Sequence, residues 1–138
     1  MTQASQGTAK YLETQIATAS QEQLVVLLYN GALRFLSEAK LAMEAHNVPR
    51  QADRIHRAQR VLTELMSSLD MEAGGQVAAN LMALYVFFFD QLTDASINDN
   101  LGALEAVREN LRLLRDAFQE AERTARAEAA QNNLGQKG

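Results

Sequence analysis

Cysteine is absent from the 138 residues, which removes disulfide scaffolds, thiolate zinc sites and cysteine nucleophiles at once. Proline occurs once and glycine seven times, so long stretches run without a backbone breaker. That scarcity favours helix over a turn-rich β fold. Basic residues are outnumbered, 13 against 17 acidic, for a net charge of −4. Such a balance suits neutralisation of phosphates poorly, and no nucleic-acid partner is expected. Long apolar runs are missing too: Leu24–Tyr29 and Leu81–Phe89 fall far short of the ~20 residues that span a bilayer. The opening MTQASQGTAK has no apolar signal core behind a basic region. A cytoplasmic location without stable membrane insertion is therefore expected.

What is present suits one globular domain. Hydrophobic residues make up 47% of the chain and charged residues 22%, enough apolar material for a core and unlike a disordered segment. Residues 1–19 are polar and rich in small side chains, interrupted only by Tyr11, Leu12 and Ile16, and read as an N-terminal arm lying on the domain. Ser20-Gln21-Glu22-Gln23 matches a capping box and opens a helix predicted over about residues 21–46. Along it Leu24, Leu28, Ala32, Phe35, Ala39 and Met43 recur at three- and four-residue spacing. Asn47-Val48-Pro49 ends that helix, since proline suits the first turn of the next one and not a helix interior.

Ile55, Ala58, Leu62, Leu65 and Leu69 mark the second helix, and Gly74-Gly75 the next break. The third helix carries Val77, Leu81, Leu84, Tyr85, Phe88, Leu92 and Ala95. Asn98-Asp99-Asn100 is a turn-and-cap cluster. The fourth repeats the pattern with Leu104, Val107, Leu111, Leu114, Phe118 and Ala121. Beyond Ala125 the chain turns polar, and residues 126–138 are expected as a flexible, frayed tail. Helices with one apolar stripe each and short connections must bury those stripes against antiparallel neighbours. The expected fold is an all-α antiparallel four-helix bundle over residues 20–125.

Chemistry finds little to stand on. A di-metal bundle site needs two Glu-x-x-His pairs, and the chain has two histidines in all. Asp53-Arg54-Ile55-His56 has the right spacing, but His46 sits at a helix end without a matching acid. Asp94, Asn98, Asp99 and Asn100 lack the spacing and closing glutamate of a calcium loop and fit turn and cap duty better. No phosphate-binding glycine loop or nucleophile elbow occurs, so no catalytic residue, cofactor or metal is assigned. Arg50, Arg54, Arg57 and Arg60 share much of one face, which is either a grip for an acidic or nucleic-acid partner or a solvated surface. Glu109 with Arg112 and Glu122 with Arg126 read as minor helix-face pairs.

Apolar surplus is the unusual feature. On a wheel of about 100° per residue, the third helix places Val77, Leu81, Leu84, Phe88 and Leu92 toward the core. Met82, Val86 and Phe89 form a second stripe, and Phe87 projects away from both. The first helix has extra hydrophobes at Val26, Leu27, Leu33 and Leu41. Either the core face is wide, with scattered surface apolar groups, or the second stripe receives a partner helix through i, i+3/i+4, i+7 anchors. Methionine with phenylalanine suits the latter, being an adaptable contact surface.

Several segments resemble the flagellar export chaperone FliS family. They are Tyr11-Leu-Glu-Thr-Gln-Ile16, Thr18-Ala-Ser20, Leu24-Val-Val-Leu-Leu-Tyr-Asn-Gly-Ala32, Glu64-Leu-Met-Ser-Ser-Leu-Asp-Met71 with Gly74-Gly75, Asn80-Leu-Met-Ala-Leu-Tyr85 and Leu114-Arg-Asp-Ala-Phe118. The resemblance covers roughly residues 11–121 in order. It implies a helical bundle that binds the disordered C-terminal region of flagellin in the cytosol, prevents premature polymerisation and delivers it to the flagellar type III export apparatus, without catalysis. It also implies an N-terminal arm that covers hydrophobic surface and yields to the client, a part that Tyr11 and Ile16 would play. Phe118 stands where the family often has tryptophan, and Phe87-Phe88-Phe89 is more apolar than the usual run. Expected partner contacts are Tyr11, Ile16, Leu33, Met82, Val86 and Phe89. A monomer or weak homodimer is expected when the protein is free. A helical adaptor for another export substrate or regulator shares the same surface argument, and a bundle enzyme or metal carrier is the remaining class.

Overall fold

The computed structural model describes residues 21–136, which form four helices. They are α1 (Gln21–Glu44), α2 (Val48–Ser67), α3 (Gly75–Asn98) and α4 (Leu101–Gln136). Connections at 45–47, 68–74 and 99–100 reverse the chain each time, so sequence neighbours run antiparallel. α1 packs on α2 and α4, and α3 packs on the same two helices from the opposite corner. The predicted all-α antiparallel four-helix bundle is the observed fold. The Ser20 cap and the arm lie outside the described residues.

The core follows the three- and four-residue spacing, rotated slightly from the predicted faces. On α1 the buried side chains are Tyr29, Ala32, Leu36, Ala39, Ala42 and Met43, which displaces the expected stripe toward Tyr29 and Leu36. α2 buries Ile55, Ala58, Leu62 and Leu65 as predicted, while Leu69 lies past the helix end and only packs against the core's edge. α4 buries Leu104, Val107 and Leu111, with Leu114 and Phe118 half-buried and Ala121 exposed. A fully buried leucine contributes about 1.5–3 kcal/mol relative to an exposed one. Leu62→Ala, at a site with no exposure, is thus a change of several such contacts at once.

α3 departs most from expectation. Val77 is 66% exposed and Leu84 40%, so neither belongs to the core stripe. The buried face is instead set by Ala78, Tyr85, Phe88, Leu92 and Ala95, rotated away from both. Phe87 does project outward, at 56% exposure.

Polar side chains hold the elements in register. Gln59, buried on α2, donates to the Phe89 carbonyl at 3.0 Å and to Thr93 Oγ1 at 2.8 Å, clamping α2 to α3. Gln51 donates to Asp99 Oδ1 at 2.7 Å, tying the start of α2 to the end of α3. Glu38 on α1 faces Arg50 and Arg54 of α2, and Asp53 faces Arg54 and Arg57, so two carboxylates offset half the charge of the four-arginine face within the molecule. Asn100 Oδ1 caps α4 by accepting from Ala103 N, and Asp94 accepts from the Asn98 and Asn100 amides, which hold its carboxyl below the usual range. The turn-and-cap reading of this cluster holds. α4 continues as helix to Gln136, into the stretch that polarity alone assigns to a frayed tail. Alanine, glutamate, glutamine and arginine dominate that stretch, and all four sustain helix without any apolar stripe.

Two helix ends use a left-handed residue that is not glycine. His46 has φ 54° and Asp99 φ 50°. Asn47 N donates to the Ala42 carbonyl and Asn100 N to the Ala95 carbonyl, closing each end in a Schellman arrangement. His46→Gly relieves the side-chain penalty and should raise stability by about 1 kcal/mol or less in urea unfolding. Asp99→Gly should be destabilising in the same measurement, because the relief is outweighed by the buried Gln51 amide left without its acceptor.

Candidate functional site

The turn between α2 and α3 shapes one end of the bundle. Asp70 accepts the backbone N–H of Glu72 at 3.1 Å and of Ala73 at 3.0 Å, and Gly74 N donates to the Asp70 carbonyl. A Cβ on Gly74 would stand 2.6 Å from Ala78 Cβ and 2.8 Å from the Asp70 oxygen, so only glycine fits. Gly75 follows at φ 50° and starts α3. Two glycines and the small Ala78 leave the helix entry thin, and beside it opens a groove of about 260 Å³.

Leu69, Val77, Ala78, Leu81, Tyr85 and Phe118 line that groove, with Val25 at the α1 side. The space holds a couple of apolar side chains and is small for a drug-sized ligand. Its outer wall continues along α3, where Val77 and Leu84 lie seven residues apart on one line and Phe87 stands one turn beyond Leu84. The result is an apolar strip on the outside of a folded bundle.

Aromatic groups support the groove from beneath. The Tyr29 and Tyr85 hydroxyls meet at 2.5 Å across the core, joining α1 to the diagonally placed α3. The Tyr29 ring also stacks on Phe118, with centroids 5.5 Å apart. Burial pushes the Tyr29 phenol far up, helped by the Tyr85 hydrogen bond, and burial likewise raises Tyr85. Both therefore stay neutral and act as a hydrogen-bonded brace.

The sequence-predicted contacts distribute unevenly. Val86 is exposed, at 45%, on the flank of α3 away from the groove. Met82 is half-buried on that flank, and Phe89 is half-buried and packed on the core. Leu33 is half-buried on α1, against the core and beside Arg108, Arg112 and Arg115 of α4. Tyr11 and Ile16 lie outside the described residues. Val77, Leu84 and the groove were missed because a helix wheel cannot show which side of a stripe a neighbour leaves open. The Gly74-Gly75 pair four residues ahead of Ala78 was the available signal. His56 is exposed, and among the described residues no group of three or more histidine, aspartate and glutamate side chains could hold a metal ion. No helix among them is long and apolar enough to cross a membrane.

The family described as "Flagellar protein FliS" matches residues 3–125. The chain belongs to the FliS family. Its relatives include the "Flagellar secretion chaperone FliS" of Vibrio cholerae, 34% identical over 107 residues that cover 78% of this chain and 79% of the relative. The protein of that name from Escherichia coli is 32% identical over 123 residues, 86% of this chain and 90% of its own length. The Bacillus subtilis protein is 29% identical over 111 residues, 80% and 82% of the two chains. In this FliS-family member the groove and the strip lie on a bundle whose relatives are named flagellar secretion chaperones.

Removing one phenol of the brace strands the other. Tyr29→Phe or Tyr85→Phe should each cost about 1–3 kcal/mol, while the double variant should cost less than the sum. Raising pH tests the same pair with a defined sign. An unfolded tyrosine ionises near ~10, and the folded phenols resist ionisation, so stability is full below that pH and falls as pH rises above it. Urea midpoints across the alkaline range should show this loss, and the double phenylalanine variant should show less of it.

Proposed function

We propose that this FliS-family chain is a cytoplasmic export chaperone that binds the C-terminal region of flagellin, keeps it from polymerising early and hands it to the flagellar type III export apparatus. The observation that carries the reading is the uncovered apolar strip formed by Val77, Leu84 and Phe87 beside the groove, since a finished bundle gains nothing from leaving these side chains in water. A disordered client segment that folds into helices on the bundle would cover them. Ordering the client costs free energy, so affinity per contact area is modest, which suits a carrier that must release its load. Met82, Val86, Phe89 and Leu33 are the proposed contacts on the remaining surface. The leading segment with Tyr11 and Ile16 is proposed as the cover that the client displaces. The function is binding and not catalysis, and the free protein is a monomer or weak homodimer.

Capture of flagellin from flagellated cells, repeated with flagellin lacking its C-terminal tail, tests the client. Capture should occur and should vanish with the tail; retention of the truncated protein, or of a different export substrate in its place, would overturn the assignment. Leu84→Asp with Phe87→Asp changes two exposed side chains, so helical circular dichroism should survive while affinity falls about tenfold or more. Val86→Asp makes the same test of the opposite flank. Wild-type affinity in both folded variants would rule out α3 as the docking element.

A further inference from the structure

A second cleft, of about 280 Å³, opens between α1 and α4 and shares no residue with the groove or the α3 strip. Arg108, Arg112 and Arg115 line it at four- and three-residue spacing, so they stand one above another along ~10 Å of α4. Leu33 gives it an apolar floor, half-buried against the core, and Ser37 adds a hydroxyl from the same helix. Lys40, one turn further along α1, lies 3.5 Å from Glu105 at the cleft's edge.

These four cations draw on three carboxylates. Glu105 serves both Lys40 and Arg108, at 3.5 and 3.4 Å. Asp116 serves both Arg112 and Arg115, at 3.1 and 2.8 Å, and Glu109 holds Arg112 at 2.6 Å. A chain of net charge −4 thus keeps a surplus cation at this place. Donors are in surplus too. Arg108 engages only Nη1, at 3.4 and 3.5 Å from the Glu105 oxygens, the long limit of hydrogen bonding, and its Nε and Nη2 have no partner among the described residues. Arg115 is aimed by Asn30 of α1, whose Oδ1 accepts from Nη1 at 2.8 Å, while its Nη2 is unengaged among the same residues. Half-exposed pairs of this kind are weak, so an incoming carboxylate exchanges with them at little cost.

We propose that this cleft receives an acidic stretch of the client protein, with carboxylates on Arg108 and Arg115 and an apolar side chain between them on Leu33. This rests on the client reading above, in which Leu33 is a contact, and adds the chemistry of the segment that lies over α1 and α4. Two carboxylates three residues apart on an extended strand are ~10 Å from each other, which matches the rise from Arg108 to Arg115. The fork of a guanidinium suits a carboxylate in two-point contact. A nucleic-acid strand or an anionic bilayer fits worse: the interleaved Glu105, Glu109 and Asp116 repel an unbroken run of phosphates, and Leu33 offers them nothing.

Fluorescence anisotropy of a labelled synthetic peptide with Glu-Ala-Leu-Glu at its centre, titrated with the full chain, reads this directly. Binding should saturate, weaken as salt is added, and fall about tenfold when the peptide carries Gln-Ala-Leu-Gln instead. Arg108→Glu with Arg115→Glu should weaken it about tenfold or more, whereas Arg57→Glu with Arg60→Glu, the same change in net charge on α2, should leave it unchanged. Glu105→Gln should tighten it about two- to fivefold, in line with removal of one competing exposed pair. That variant and Arg108→Glu alone keep the Asn30–Arg115 tie between helices, so they test the cleft even where the double variant fails to fold. No saturable binding, an equal loss in the α2 variant, or unchanged affinity in Glu105→Gln would overturn the proposal. Tighter binding of a single-stranded oligonucleotide or of phosphatidylglycerol vesicles than of the peptide would overturn it as well. Flagellin is in none of these measurements, so a failed cleft leaves the chaperone reading standing, and failed flagellin capture leaves the cleft's preference for acidic peptide standing.

Discussion

A helix packed against two neighbours can bury only the arc that faces them, and α3 carries apolar side chains around far more than that arc. Tyr85, Phe88, Leu92 and Ala95 take the buried positions. Val77, Leu84, Val86 and Phe87 are left in water. Every distinctive property of the molecule descends from this mismatch. α1 shares the excess on a smaller scale, with Leu41 exposed, while α3 is apolar enough to serve an interior and a surface at once.

The surface is held in shape by polar groups that do not belong to it. Gln59 fixes the height of α3 against α2 through the Phe89 carbonyl and Thr93. Gln51 and Asp99 lock the far end. The paired phenols of Tyr29 and Tyr85 set the distance between diagonal helices, and Phe118 leans on the first of them while lining the groove. Unpaired, any of these buried polar groups would be costly, so each bond fixes one geometry rather than a family of them.

Much of the fold was legible in the chain. Four periodic segments separated by Asn47-Val48-Pro49, Gly74-Gly75 and Asn98-Asp99-Asn100 give four helices in those places, because capping and turn chemistry act locally. The buried face was legible on α2 and only to within about one residue's rotation on α1 and α3. On α1 the true stripe includes Tyr29 and Leu36, and on α3 it excludes Val77 and Leu84. When nearly every position on a helix is apolar, periodicity loses its phase, and tertiary neighbours choose the buried side. The groove was illegible for a related reason: Gly74 and Ala78 line it with little bulk, and absence of bulk leaves no periodic mark.

The pattern of neighbours has a kinetic corollary. α1 with α2, α2 with α3 and α3 with α4 are each adjacent in the chain, and long loops are closed by the α1–α4 packing and by the Tyr29–Tyr85 bond. Structures built from such short-range pairings form in microseconds to milliseconds, whereas a ribosome adds only ~5–20 residues per second. The bundle can thus assemble almost as fast as its last helix emerges, long before a polypeptide several times its length has been synthesised.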